Sequence, residues 1–175
     1  MDETKDISGE LLREILEDAI WAPTHGLTQP WRFHVFSAGA RTRLAEGLES
    51  LYDRLTAPSE RSGDKRAKLR ANVLGAAVTI AVAARIEPGG RITELDEIAA
   101  TSCAVQNILL SAHQRGLGSF WATPPVSCTP EFAEWLGLDA NHRCMGLVYL
   151  GHAREDANPA SSRLPLAERV VFHTR

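Results

Sequence analysis

Between Trp21 and Phe33 the sequence reads WAPTHGLTQPWRF. Pro23, Pro30 and Gly26 would be enough to turn a corner, because proline fixes φ and glycine admits positive φ. The polar Thr24, His25, Thr28 and Gln29 threaded among them exceed what a turn needs. Those groups have two outlets, the loop itself or a ligand. The ordinary outlet for His25 is a loop histidine satisfied by backbone groups, and for Gln29 an amide that pins its own loop.

Other stretches with chemical possibilities are fewer. GLGSFW, from Gly116, lacks the third glycine of a dinucleotide loop and follows a helix instead of opening one, so Gly116 reads as a left-handed helix cap. Trp121 stands after this glycine-rich turn and before Pro124 and Pro125, where an unusual backbone path can approach a flat ligand. Trp31 and Trp135 read as core residues, a role open to Trp21 as well. RSGDKRAKLR carries Arg61, Lys65, Arg66, Lys68 and Arg70 against a single acid; it is either a solvated helix face or a basic lip for a cofactor phosphate.

The six histidines form no H-x-x-x-H or H-E-x-x-H pair, and the three cysteines no C-x-x-C, so neither a metal centre nor a disulfide framework is expected. No G-x-S-x-G elbow is present. A net charge of −3 over 175 residues argues against a nucleic-acid surface. With no apolar run of about 18 residues and no signal peptide, no membrane association and a cytoplasmic location are expected.

The elements that must position these residues follow from periodicity. Apolar residues from Ile7 to Ile20 recur at helical spacing, with Asp6 or Ser8 as cap and Pro23 beyond the end. WRFHVF alternates, Trp31, Phe33 and Val35 on one face and Arg32 and His34 on the other, which predicts a half-buried strand. A helix is predicted from about Ala40 to Leu55 and a short basic one from Lys65, leading into the central strand AAVTIAVAA. The longest helix is predicted from the T-x-x-D signal at Thr93 to Gly116, with Leu95, Ile98, Ala99, Val105, Ile108, Leu109 and Ala112 toward the core. SFWAT and CMGLVYLGH read as strands around the short helix PEFAEWLGL, and ERVVFHTR again has strand character. The pattern is one α+β domain over residues 1–175, with a central mixed or antiparallel sheet of about four to five strands flanked by helices.

Taken in order, APTHGLTQPWRF, CAVQNILLSAHQRGLGSFW, MGLVYLGHA and SSRLPLAERVVF resemble segments of the FMN-dependent nitroreductases, most closely the compact single-domain branch. The resemblance covers nearly the whole chain from Ile7 onward. It implies a nitroreductase-like fold, a homodimer with exchanged terminal segments, and FMN at the subunit interface touched by both chains. Carried over residue by residue, it implies FMN contacts for Thr24, His25 and Gln29, for Trp121, Ala122 and Thr123 along the flavin, and for Arg163 of SRLP on the FMN phosphate. Short polar residues amid Pro and Trp suit the pyrimidine edge and ribityl chain of a flavin.

Activity is implied likewise: an NAD(P)H oxidoreductase taking NADH or NADPH as donor and reducing a small-molecule acceptor, nitroaromatic, quinone or similarly flat, by ping-pong hydride transfer. No catalytic side chain is expected, since FMN carries the chemistry. The alternative is a nitroreductase-like dimer that binds flavin weakly or not at all and serves as a binding or interaction protein. The chain departs from the family pattern before DISGELLREIL, where no R-R-S-x-R-x-F phosphate anchor is matched, and at Trp21 and Ala122, where arginines are usual. Either the natural start lies upstream, or Arg163 with Lys68 and Arg70 compensates, or FMN is held weakly.

Overall fold

Ser8 opens the first helix, its hydroxyl accepting the Leu11 N–H at 3.2 Å, in the computed structural model of the chain, which describes residues 5–153 and 162–174. That helix, α1 (Gly9–Ala19), buries Ile15 and Ala19. Thr93 caps the longest helix, α4 (Glu94–Gln114), in the reciprocal box the sequence suggests: its hydroxyl accepts from the Asp96 N–H at 3.2 Å while the Asp96 carboxyl accepts from the Thr93 N–H at 3.2 Å. The helix stops where Gly116 takes φ +75° and donates its N–H to the His113 carbonyl at 3.0 Å.

Four strands form one sheet in the order β1-β2-β4-β3, every neighbouring pair antiparallel: β1 (Trp31–Ser37), β2 (Val78–Arg85), β3 (Leu117–Ala122) and β4 (His142–His152). The central β2 is buried from Val78 through Ala84. Its β-branched Val78, Ile80 and Val82 pack toward α1 and α4, and its small Ala81 and Ala83 toward α2 (Ala40–Leu55), α3 (Gly63–Leu74) and α5 (Pro130–Trp135). Helices thus cover both sheet faces, giving two cores. Among the described residues no helix is long and apolar enough to cross a membrane.

Four expectations need correction. Leu95 is 75% exposed and Ala99 is exposed, because the face that the N-terminal part of α4 buries carries Glu97 and Ala100 instead. β1 is not half-buried along one face: Trp31 and Phe36 are buried in cores on opposite faces, and Val35 is 38% exposed. Trp21, 85% exposed, is no core residue. Among the described residues ERVVFHTR forms no strand; a single 3-10 turn (Leu166–Glu168) is followed, as far as Thr174, by residues with no ladder partner, so the segment lacks the hydrogen bonds a strand needs. The basic helix also begins two residues early, at Gly63, where the Ser62 hydroxyl accepts the Lys65 N–H.

Candidate functional site

Gly26, Leu27 and Gln29 adopt φ of +60°, +56° and +47°, so two residues with side chains occupy the left-handed region within one short loop. Such backbone persists only when its surroundings fix it. Thr24 and Thr28 supply part of that fixing. The Gln29 N–H donates to the Thr24 hydroxyl at 3.1 Å, the two threonine hydroxyls lie 3.0 Å apart, and Thr28 donates to a carboxyl oxygen of Glu97 at 2.7 Å. Glu97, 1% exposed, lies in the first turn of α4.

His25 and Gln29 are left pointing outward. The His25 side chain is 64% exposed, its Nδ1 3.7 Å from Asp96, whose carboxyl is held below its usual range first by the Thr93 hydroxyl and backbone N–H and then by His25. Gln29 is exposed and bonded through its backbone, its N–H donating to Thr24 and its carbonyl accepting from the Arg32 guanidinium at 3.2 Å, so its side chain does not pin the loop. The polar groups of WAPTHGLTQPWRF therefore divide: the threonines hold the loop, and His25 and Gln29 are presented by it.

Trp121, Ala122 and Thr123 lie on the other edge of the sheet, lining a cleft of about 800 Å³ with the end of α2 and one face of α3. Register sends Phe120 and Ala122 to the α2–α3 side with Tyr149 and Leu147, and Trp121 to the α1–α4 side with Val148. There the Trp121 indole N–H donates to the Met145 carbonyl at 2.9 Å. Phe120, 61% exposed, is the freer aromatic of the cleft, a residue the sequence reading passed over.

Lys65, Lys68 and Asn72, three and then four residues apart, present one face of α3 to this cleft. The remainder of the basic run is otherwise engaged. Arg66 and Arg70 donate to the two oxygens of Glu49 on α2, at 2.8 and 3.0 Å, and Arg66 also reaches Asp53 at 3.1 Å. Glu49 is 6% exposed, so this pair of ion pairs joins α2 to α3. The expected basic lip thus loses Arg66 and Arg70 and keeps Lys65 and Lys68; neither lysine meets a carboxyl group among the described residues.

Arg163 is exposed and, among the described residues, donates only to the neighbouring Ser162 carbonyl, at 2.9 Å. With Arg169 it lines a separate hollow on the C-terminal segment. Within one chain, then, the structure brings Trp121, Ala122 and Thr123 together with Lys65 and Lys68, and brings none of Thr24, His25, Gln29 and Arg163 into that cleft. The loop adjoins the β1 edge and the cleft the β3 edge, with outer strands about 14 Å apart at ordinary strand spacing.

The donor set suits a flavin. An 800 Å³ cleft lies within the size of small-molecule sites, and apolar Leu55, Phe120 and Pro124 alternate with a few polar groups, Asn72, Thr123 and the two unpaired lysines, able to orient a planar polar edge or an anion. Among the described residues no three His, Cys, Asp or Glu side chains are grouped to hold a metal.

Comparison with known proteins adds the lineage. The model of the nitroreductase family matches residues 2–152. YdjA of Escherichia coli K12, provisionally named an NAD(P)H nitroreductase, is 29% identical over 145 residues, 82% of this chain and 76% of its own. The crystal structure of a nitroreductase-like family protein from Bacillus cereus superposes with a TM-score of 0.83 at 27% identity, covering 98% of this chain and 88% of that one. A provisionally assigned nitroreductase from Desulfovibrio desulfuricans, solved in complex with FMN, superposes with a TM-score of 0.73 at 30% identity over 100% of this chain and 89% of that one.

Proposed function

This chain belongs to the nitroreductase family, and we propose that it is a single-domain, FMN-dependent NAD(P)H oxidoreductase that reduces nitroaromatic, quinone or similarly flat acceptors as a homodimer. FMN, when bound, would supply the redox centre for hydride transfer between NADH or NADPH and the acceptor. The chain's own residues bind and orient. Trp121, Ala122 and Thr123 would line the flavin with Phe120 as apolar cover, Lys65, Lys68 and Asn72 would face its polar edge, and Arg163 would take the phosphate with its planar fork.

One observation carries this reading above others: the two groups of flavin-contact residues lie on opposite edges of one sheet. Thr24, His25 and Gln29 of one protomer can meet Trp121, Ala122 and Thr123 around one flavin when the latter come from its partner. The exposed C-terminal segment agrees with the same assembly. Leu164, Leu166, Val171 and Phe172 are 60 to 81% exposed in the single chain, apolar surface that a partner would cover.

The test is reconstitution. Purified protein incubated with FMN and freed of excess should keep a flavin spectrum and oxidise NADH or NADPH when a nitroaromatic acceptor is added. A protein that retains no flavin at tens of micromolar FMN and oxidises neither donor does not have this function.

A further inference from the structure

We propose that Glu97, which among the described residues makes no side-chain hydrogen bond to those assigned to the flavin, is the positioning residue that holds the flavin-facing loop, acting through Thr28. The inference rests on the FMN reading above for its functional consequence and on geometry alone for the clamp.

Glu97 is an unusual residue for its place. Its side chain is sealed at 1% exposure in the first turn of α4, a location where acids are ordinarily solvated, and the Thr28 hydroxyl at 2.7 Å is its hydrogen-bond donor. Thr28 has a single hydroxyl proton and a choice of acceptors, since the His25 carbonyl lies at 3.3 Å and the Thr24 hydroxyl at 3.0 Å. The bond to the carboxyl group is the shortest of the three and takes the proton.

The rest of the loop then has one consistent polarity. With the Thr28 proton given to Glu97, the Thr24 proton turns to the Thr28 oxygen, and the Thr24 oxygen accepts the Gln29 N–H. The chain Gln29 N–H, Thr24 hydroxyl, Thr28 hydroxyl, Glu97 runs from a backbone amide at φ +47° to a buried carboxyl group. Hydrogen bonds in such a series polarise one another, so its strength depends on the terminal acceptor. What it secures is the backbone from which His25 and Gln29 project.

Thr28→Val removes the hydroxyl at nearly constant volume, Thr28→Ser restores it, and Glu97→Gln keeps the volume of the buried side chain. Two readouts are taken on the full-length protein: amide hydrogen exchange of Gln29 without FMN, and FMN affinity by quenching of flavin fluorescence. Ser111→Ala serves as control, because Ser111 bonds Asp18 and Arg115 at the far end of α4 and its loss destabilises without touching the loop.

Thr28→Val is expected to speed Gln29 exchange and to weaken FMN binding about tenfold, the loss of one hydrogen bond to an acid. Thr28→Ser should stay near the parent, and Ser111→Ala should lower the melting temperature while leaving FMN affinity unchanged. Parent-like FMN affinity in both Thr28→Val and Glu97→Gln overturns the proposal. So does unchanged Gln29 exchange. A parent that binds no FMN, with Gln29 exchange accelerated in Thr28→Val, sinks the flavin reading and leaves the clamp standing.

Discussion

The indole N–H of Trp121 on β3 donates to the carbonyl of Met145 on β4, across the point where β4 carries an extra residue. Pairing with β2 shifts between Ala81/Leu147 and Ala83/Cys144, so Met145 and Gly146 together stand opposite Val82. Gly146 takes φ +100°, and a side chain there would run into the Ala122 carbonyl. One bulge therefore anchors the indole of Trp121 on the α1–α4 face and sets the backbone of Ala122 at the cleft.

Gly146→Ala should accordingly lower stability by about 3 kcal/mol, combining left-handed strain with overlap against a backbone oxygen. Urea denaturation measures it. An unfolding midpoint equal to the parent's would mean that β3 can move away freely and that the bulge does not set the cleft wall.

Lys68 and Arg70, two residues apart, should give opposite phenotypes. Arg70→Ala removes one of two cations from the buried Glu49 and should cost about 1 kcal/mol, a modest value because Arg70 is itself 41% exposed. FMN affinity should survive. Lys68→Ala should leave stability within about 0.5 kcal/mol and weaken FMN binding. The reverse pattern, by thermal melts and flavin titration of the two variants, would assign the cleft's cation wrongly.

Tyr149 and Thr79, cross-strand neighbours on β4 and β2, both have buried hydroxyl oxygens without a hydrogen-bond partner among the described residues. Burial pushes the Tyr149 phenol up from 10.0 to about 12. A folded value above the unfolded one means stability that is whole below pH 10 and is lost as pH rises from 10 toward 12. Tyr149→Phe should flatten that alkaline loss and, by removing an unpaired hydroxyl, match or exceed the parent at pH 7 by up to about 1 kcal/mol. Stability curves of parent and variant that fall in parallel above pH 10 would contradict this.

Arg163 is tested by comparing FMN with riboflavin, which lacks only the phosphate. Arg163→Ala should weaken FMN by on the order of 2 kcal/mol, roughly thirtyfold, and leave riboflavin affinity unchanged. Arg163→Lys should recover part of the loss, keeping charge without the fork. Equal losses for both ligands would show that Arg163 does not meet the phosphate.

Much of the architecture was legible from local signals. The Thr93–Asp96 box, the Gly116 cap and the β-branched run of β2 are each decided by neighbours within a few residues, and the structure has them as expected. What escaped depends on distant partners. Nothing in RSGDKRAKLR says that Arg66 and Arg70 are claimed by Glu49, which sits on the preceding helix. Nothing near Glu97 announces that Thr28, 69 residues away, lies over it. The mispredicted Leu95 and ERVVFHTR fail for a related reason: apolar periodicity marks residues that prefer cover, and the single chain does not supply that cover. The residues proposed for the flavin site were reached through resemblance, and the structure adds that they fall into groups on separate edges.

The most direct test of the shared site is complementation between two defective chains. One carries His25→Ala and Gln29→Ala in the loop, the other Phe120→Ala and Lys68→Ala in the cleft, and each alone should retain little FMN. Co-expressed with different tags and purified through both, the mixed dimer pairs the sound loop of one chain with the sound cleft of the other. The account predicts that it regains one tightly bound FMN per dimer, with a parent-like flavin spectrum. If each site were built within a single chain, every site in the mixed dimer would keep one defect, and a mixed dimer no better than its parents at holding FMN would contradict the account.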